Sequence, residues 1–248
     1  MKSLIMIVMC LFMCIAIVAC SKNKGQKELL NKLTEEEKTE GWVLLFDGKT
    51  TKGWRGYNKE TFPQVGWEIV DGTLHCIASG RGEAGHGGDI ITEKTYKNFI
   101  LKLEWKIAPG GNSGIFYRAV EKPGRPIWQM APEMQVLDNE RHPDAKLGKN
   151  GNRQAGALYD LIPANPQTTK PAGEWNKVKI YVNEDHVEHW LNGKKVLEYN
   201  LWTPQWKEMV KNSKFAKYPD FGEYKEGHIG LQDHGDDVWY RNIKIKEL

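Results

Sequence analysis

From Trp42 onward the chain alternates apolar and polar positions in runs of four to ten residues, and Gly, Asn, Asp and Pro punctuate the runs. Phe99, Leu101, Leu103, Trp105 and Ile107 alternate with Ile100, Lys102, Glu104 and Lys106, which gives a strand with one core face. The same period returns in Val178, Ile180 and Val182 and in Val187, His189 and Leu191. Asn192-Gly193 then predicts a tight type I′ hairpin into Lys195–Tyr199. Helix signals are few. Thr34-Glu35-Glu36-Glu37 is a capping box that opens a short helix ending at Gly41, and Pro204–Val210 holds a second; 215–226 reads as loop. About a dozen strands with no long helix to cover a parallel sheet predict an all-β antiparallel sandwich. No repeat period supports a propeller. The organisation expected is a leader over 1–19, a tether and short helix over 20–40, and one sandwich domain over 41–248.

The leader changes how the cysteines count. Lys2 and the apolar stretch Leu4–Val18 end in Ile17-Val18-Ala19-Cys20, which is similar to a bacterial lipobox, so Cys20 is expected to be the lipidated first residue. The apolar run is short for a membrane-spanning helix. Cys10 and Cys14 leave with the signal peptide, and Cys76 alone remains, in an apparent strand, as a buried inert thiol. The domain is therefore expected to hold together by burial without a disulfide, tethered by lipid to the cell envelope, periplasmic or on the outer-membrane surface. The charge balance, 35 Lys+Arg against 32 Asp+Glu, excludes a protein built to neutralise nucleic-acid phosphates. Ten Trp, nine Tyr and seven Phe suit either a packed β-core or sugar stacking.

Two stretches concentrate the chemistry. In 132–144, Met134 and Val136 point inward, so Glu133 and Gln135 share the opposite face; Asp138 joins them only if a bulge or the strand end re-aims it. Asn139, Glu140, His142 and Asp144 follow in a loop, either as part of a proton-transfer or metal cluster or as a solvated edge. In 228–235, Ile229 and Leu231 point inward and leave His228, Gly230, Gln232 and His234 outside, with His234 the candidate general base. Gly114, Phe116 and Arg118 share a face; Arg118 either clamps a hydroxyl or carboxylate or pairs with Glu104 or Glu133. Tyr159 is a sugar-facing donor or core, and Trp128 and Trp190 are stacking platforms or core. Asp89 follows a glycine-rich loop that lacks the strand–loop–helix setting of a phosphate loop.

The ordered motifs LTEEEKTEGWVLLFDGKTTKGW (33–54), GGNSGIFYR (110–118), EMQVLDNERHPDA (133–145), GALYDLIP (156–163), GEWNKVKI (173–180), HWLNGKKV (189–196) and GLQDHGDDVWYRNIKIKEL (230–248) together resemble the 3-keto-disaccharide hydrolase domain family of Bacteroidetes lipoproteins. The resemblance implies a concanavalin A-like jelly-roll with a carbohydrate site on the concave face of one sheet. It implies hydrolysis of 3-keto-disaccharides and 3-keto-glycosides whose C3 hydroxyl a partner sugar 3-dehydrogenase has oxidised. A C3 ketone acidifies the C2 proton, so the expected route is deprotonation, elimination of the C1 leaving group and hydration. The roles it suggests are His234, Glu133 and Asp138 as catalytic groups. Arg118, Gln135, Tyr159, Gln232, Trp128 and Trp190 would contact substrate. One divalent metal would rest on Glu133, Asp138 and His142, unless fixed donors stabilise the enolate instead. The alternatives are a conventional glycoside hydrolase, weakened by Gln135 standing where a second acid would be, and a non-catalytic carbohydrate-binding lipoprotein.

Overall fold

A computed structural model describes residues 30–80 and 85–248. The expected signal peptide and Cys20 lie outside the described residues. Thirteen strands form two antiparallel sheets. They are β1 (Val43–Leu44), β2 (Trp54–Gly56), β3 (Trp67–Val70), β4 (Thr73–Cys76), β5 (Ile90–Thr92), β6 (Phe99–Ile107), β7 (Asn112–Ala119) and β8 (Glu133–Leu137). β9 (Asn176–Asn183), β10 (His186–Leu191), β11 (Lys194–Asn200), β12 (His228–Leu231) and β13 (Val238–Glu247) complete the set. One sheet runs β11-β10-β9-β6-β13-β4-β3, with β1 also on β13, and the other runs β2-β5-β12-β7-β8. This is the expected jelly-roll sandwich.

The period-two code explains the core. Leu101, Leu103, Trp105, Ile180 and Val182 from the larger sheet meet Ile90, Ile115, Tyr117, Met134, Val136, Ile229 and Leu231 from the smaller. Each such side chain contributes roughly 1.5–3 kcal/mol on burial. Asn192 and Gly193 both take positive φ, +51° and +81°, as a type I′ hairpin requires. Cys76 is fully buried, and burial, with the nearby Asp233 carboxylate, pushes its thiol far up, so it stays unreactive.

The helices are the two expected, α1 (Glu35–Thr39) and α2 (Pro204–Lys211), capped by Thr34 and Thr203. The segment read as loop from 215 differs, because a 3-10 turn over Lys214–Lys217 opens it on the Ser213 cap. Packing decides this. Tyr199, Trp206, Phe221 and Phe215 stack in series, with ring centroids 5.5, 5.9 and 3.8 Å apart. That stack fastens residues 204–221 to Tyr199 of β11, on the larger sheet.

The outward face of the smaller sheet is apolar at one end and polar at the other. Ile91 and Phe116 are covered there by Ile127 and Ala131, with Trp128 packed against them. Gly230 permits the cover, since a Cβ at that position would lie 2.7 Å from Ile127 Cδ1. The uncovered polar end is where the candidate chemistry gathers.

Candidate active site

Glu133 and Gln135 on β8 point outward together, as alternation requires. The register sets Gln135 beside Gly114 and Glu133 beside Phe116 on β7, and the Gln232 N–H donates to the Gly114 carbonyl at 3.0 Å. Gln135, Gly114 and Gln232 therefore form one row across three strands. Gly114 leaves the middle of that row open, and the Glu133 side chain lies into the gap: a Cβ on Gly114 would come within 2.1 Å of Glu133 Oε1.

Above this floor Trp128, Tyr159, Lys214, Asn112 and His234 complete a pocket of about 300 Å³ counting its open mouth. Tyr159 stands at the Glu133 end, because the 156–159 segment runs along the free edge of β8 and the Tyr159 N–H donates to the Glu133 carbonyl at 3.0 Å. Asn112, opposite Leu137, marks the other end, and His234 stands there with it. The floor residues Glu133, Gln135, Asn112 and Gln232 are all buried. In such a setting fixed donors and charges act more strongly than in water.

His234 is held by its neighbours in sequence. Asp233, fully buried, accepts the N–H groups of Gly87 (3.0 Å), Gly88 (2.9 Å) and Gly235 (3.0 Å). Its own N–H donates to Asp89 Oδ1 at 2.9 Å. Burial pushes the Asp89 carboxyl up to about 7, although that N–H opposes the rise. The His234 ring meets His142 nearly perpendicularly at 6.0 Å, and its Nδ1 lies 4.0 Å from Asp236 Oδ2. Burial first, and then the neighbouring His234, hold the His142 imidazole below its ordinary value.

Tyr159 donates its phenol to Asp144 Oδ2 at 2.7 Å, and Asp144 Oδ1 takes Arg153 at 2.9 Å. Burial and the Asp144 bond keep that phenol protonated. Asp144 is thus an anchor of the site wall and not a solvated loop residue.

Several expected site residues stand elsewhere. Asp138 is buried at the end of β8 and accepts N–H groups from Gly110 (2.7 Å) and Glu140 (3.1 Å) and the Arg141 guanidinium (3.2 Å). Burial would raise its carboxyl, but these donors outweigh it and hold the group below the usual carboxylate range. It organises the turn and does not line the pocket. Arg118 does not share the face of Gly114 and Phe116, because the β7–β12 register slips between His228 and Gly230 and Arg118 takes φ +52°. Its guanidinium instead donates to the Lys97 and Glu184 carbonyls at 3.0 and 2.6 Å, over the Trp202 ring. Neither ion pair expected for it forms. Trp190 lies on the larger sheet, donating to Glu188 beneath the Lys179 ammonium. His228 binds the Thr92 carbonyl.

The expected metal set Glu133, Asp138 and His142 is not brought together. Among the described residues, His142, His234 and Asp236 do offer ligand atoms within 4.8 Å of one another. Their donor types suit a divalent ion. His142 Nδ1 already accepts the Asp144 N–H at 3.2 Å, and an ion there would displace the proton arrangement that this bond fixes. Asp236, Asn112 and Lys214 are the site residues that sequence reading missed. Asn112 was within reach, since it extends the parity of Gly114 and Phe116 by one step.

The chain is similar in sequence and fold to several known proteins. Residues 41–246 match the family of 3-keto-alpha-glucoside-1,2-lyase-like domains. A Bacteroides thetaiotaomicron protein named 3-keto-disaccharide hydrolase is 50% identical, the alignment covering 93% of this chain and 87% of that one. A solved structure from Parabacteroides distasonis, called a "putative glycosyl hydrolase", is 34% identical with a TM-score of 0.79, covering 88% of this chain and 99% of the other. A second from the same organism under the same name is 31% identical with a TM-score of 0.62, covering 84% and 99%.

Proposed function

The chain belongs to the 3-keto-alpha-glucoside-1,2-lyase-like family, and on that footing we infer that it is a glycosidase-like enzyme hydrolysing 3-keto-disaccharides. The observation that carries the reading is the pocket itself. Among its described lining residues Glu133 is the single carboxylate, facing an imidazole and three amides. Ordinary glycoside hydrolysis needs two carboxyl groups flanking the bond, and Asp138 does not supply the second. Proton abstraction beside a ketone needs one well-placed base, which this pocket offers.

In the reading we favour, His234 takes the C2 proton that the C3 ketone has acidified. The C1–O bond then breaks as the C1–C2 double bond forms. Water adds at C1 and a proton returns to C2, so the net change is hydrolysis. Glu133, across the floor, serves the leaving oxygen or the incoming water. Asn112, Gln135 and Gln232 present amides that read sugar hydroxyls, and the Trp128 ring offers an apolar face to the pyranose. A divalent ion held by His142, His234 and Asp236 would supply Lewis-acid polarisation of a carbonyl oxygen, and His234 would then serve as a ligand in place of its role as base.

The substrate must come from an oxidation at C3, so the functional partner is a sugar 3-dehydrogenase. The lipobox at Ile17–Cys20 supports a lipid-anchored location in the cell envelope. The test uses the chain without residues 1–20, incubated with a 3-keto-disaccharide and with its unoxidised parent, each with and without chelator. Release of sugar from the keto form alone is expected. Cleavage of the parent would restore the conventional glycosidase, and loss of cleavage on chelation would assign the ion a role.

A further inference from the structure

The larger sheet sets two carboxylates against each other on its outward face. Along β10, Val187, His189 and Leu191 are buried, so His186, Glu188 and Trp190 point the other way, toward solvent. Across the ladder Glu188 is the register partner of Glu198 on β11, and His186 is the partner of Asn200. Like charges directly opposite on neighbouring strands destabilise the pair. Lys195 answers them: its Nζ lies 3.3 Å from Glu188 Oε1 and 2.6 Å from Glu198 Oε2. Two carboxylates against this one ammonium leave an excess of negative charge on β11, which is an edge strand.

His186 turns a ring nitrogen toward the same two oxygens. Asn200 Nδ2 donates to Asp185 Oδ2 at 3.1 Å, which leaves Asn200 Oδ1 facing His186 Nδ1 at 3.2 Å. Nδ1 therefore carries the proton of that bond, and a ring N–H given to a carbonyl oxygen is the support that a metal-binding imidazole takes. The other nitrogen, Nε2, lies 3.6 Å from Glu188 Oε1 and 3.9 Å from Glu198 Oε2. Those separations are too long for hydrogen bonds. They approach the spacing of about 3.4 Å between two ligands of a tetrahedral ion whose bonds are near 2.1 Å. The Trp190 indole N–H holds the second Glu188 oxygen at 2.7 Å, so Oε1 stays turned to the cluster. Burial would raise the Glu188 carboxyl, but the Trp190 and Lys195 donors outweigh it and keep the group ionised.

We propose that His186, Glu188 and Glu198 form a zinc site, separate from the catalytic pocket, in which the ion takes the place of the Lys195 ammonium and ties edge strand β11 to β10. The three ligand atoms already lie within 4.8 Å of one another. An imidazole beside two carboxylates suits zinc over magnesium, and three protein ligands leave the fourth position to water. The Lys195 side chain is more than a third exposed on a flexible stem, so it swings into solvent as the ion enters. No covalent bond changes and nothing is oxidised or reduced. Tyr199, next to Glu198, begins the stack through Trp206, Phe221 and Phe215, so an ion that ties down β11 also steadies that stack. The site stands or falls apart from the elimination reading, because none of its residues lines the pocket.

The test uses the full chain in detergent, stripped of metal, with His234→Gln as background so that the ligand set of the pocket is broken. Titration with zinc chloride is expected to show an equivalent bound at micromolar concentration, and exchange of the Lys194–Asn200 amides with deuterated water should slow about tenfold as it binds. His186→Gln in the same background should remove that equivalent and the protection together. Should this variant fail to fold, Glu198→Gln, at a half-exposed position, carries the same comparison. Lys195→Met is the sharper arm, because a lysine that competes with the ion and one that helps to hold it give opposite signs. Zinc is expected to bind this variant about tenfold more tightly, the worth of two exposed ion pairs that no longer have to be broken. Magnesium chloride at the same concentration should leave the exchange unchanged. Binding that needs millimolar zinc, binding that survives His186→Gln, equal protection by magnesium, or an affinity that Lys195→Met leaves unchanged or weakens would each overturn the site.

Discussion

Gly114 is the residue on which the site floor depends. It sits mid-strand, where glycine is ordinarily a cost, and its missing Cβ is what lets Glu133 lie across the sheet. Gly114→Ala should therefore swing the Glu133 carboxylate out of the floor while disturbing the core little, because the atom it meets first is the end of a side chain. Cleavage of 3-keto-disaccharide is expected to fall at least tenfold with the melting temperature within a few degrees of wild type. A crystal structure of the variant with Glu133 unmoved and activity intact would contradict this. Glu133, Gln135, Gln232 and His234 were legible in the sequence because strict alternation runs unbroken between the members of each pair. Arg118 was not legible. A register slip against β12, invisible in the alternation of β7 itself, turns it away toward Lys97 and Glu184.

Turns and bulges, more than strands, aim the site. Past β12 the chain is steered by Asp233, whose two carboxylate oxygens take three backbone N–H groups from both sides of the sandwich edge. Asp233→Asn puts an amide N–H against one of those donors. The expected cost is about 1–3 kcal/mol of stability, and His234 loses its fixed bearing, so kcat should fall more than KM rises. Equal stability and kcat in chemical denaturation and steady-state assays would reject the pin. Arg118→Met tests the bulge in the opposite sense. It should lower stability by about 1–3 kcal/mol through two lost charge-assisted bonds yet leave kcat per folded molecule unchanged, since Arg118 does not line the pocket. The fold was readable because strand, hairpin and cap signals are local, whereas Lys214 lay outside any local pattern. Its place is set by aromatic stacking among residues from 199 to 221 and by Asp160, and no spacing rule reports contacts of that kind.

Across the whole molecule, two buried groups oppose each other as pH changes. His189 joins the sheets: its Nδ1–H donates to the Gly156 carbonyl at 3.2 Å and its Nε2 accepts the Tyr117 hydroxyl at 2.8 Å. Burial holds this imidazole down at about 4, so from pH 6.5 down to about 4 the unfolded chain binds a proton that the fold refuses. Stability from this group is fully present above 6.5 and falls on acidification, by about 3 kcal/mol in all at 1.36 kcal/mol for each pKa unit. Asp89 acts the other way. Its carboxyl is pushed up to about 7, so between about pH 4 and 7 the fold keeps a proton that the unfolded chain releases, and stability falls as pH rises. In the wild-type protein these slopes offset. Asp89→Asn removes the second slope while an amide oxygen can still accept the Asp233 N–H. The variant's stability should therefore match wild type near pH 4, climb with pH through the His189 window, and exceed wild type by about 2–4 kcal/mol at pH 8. Denaturant melts of both proteins from pH 4 to 8 measure the difference directly, with the other titrating groups cancelling between them. A difference that stays constant over that range would mean that Asp89 ionises at its ordinary pH in the fold.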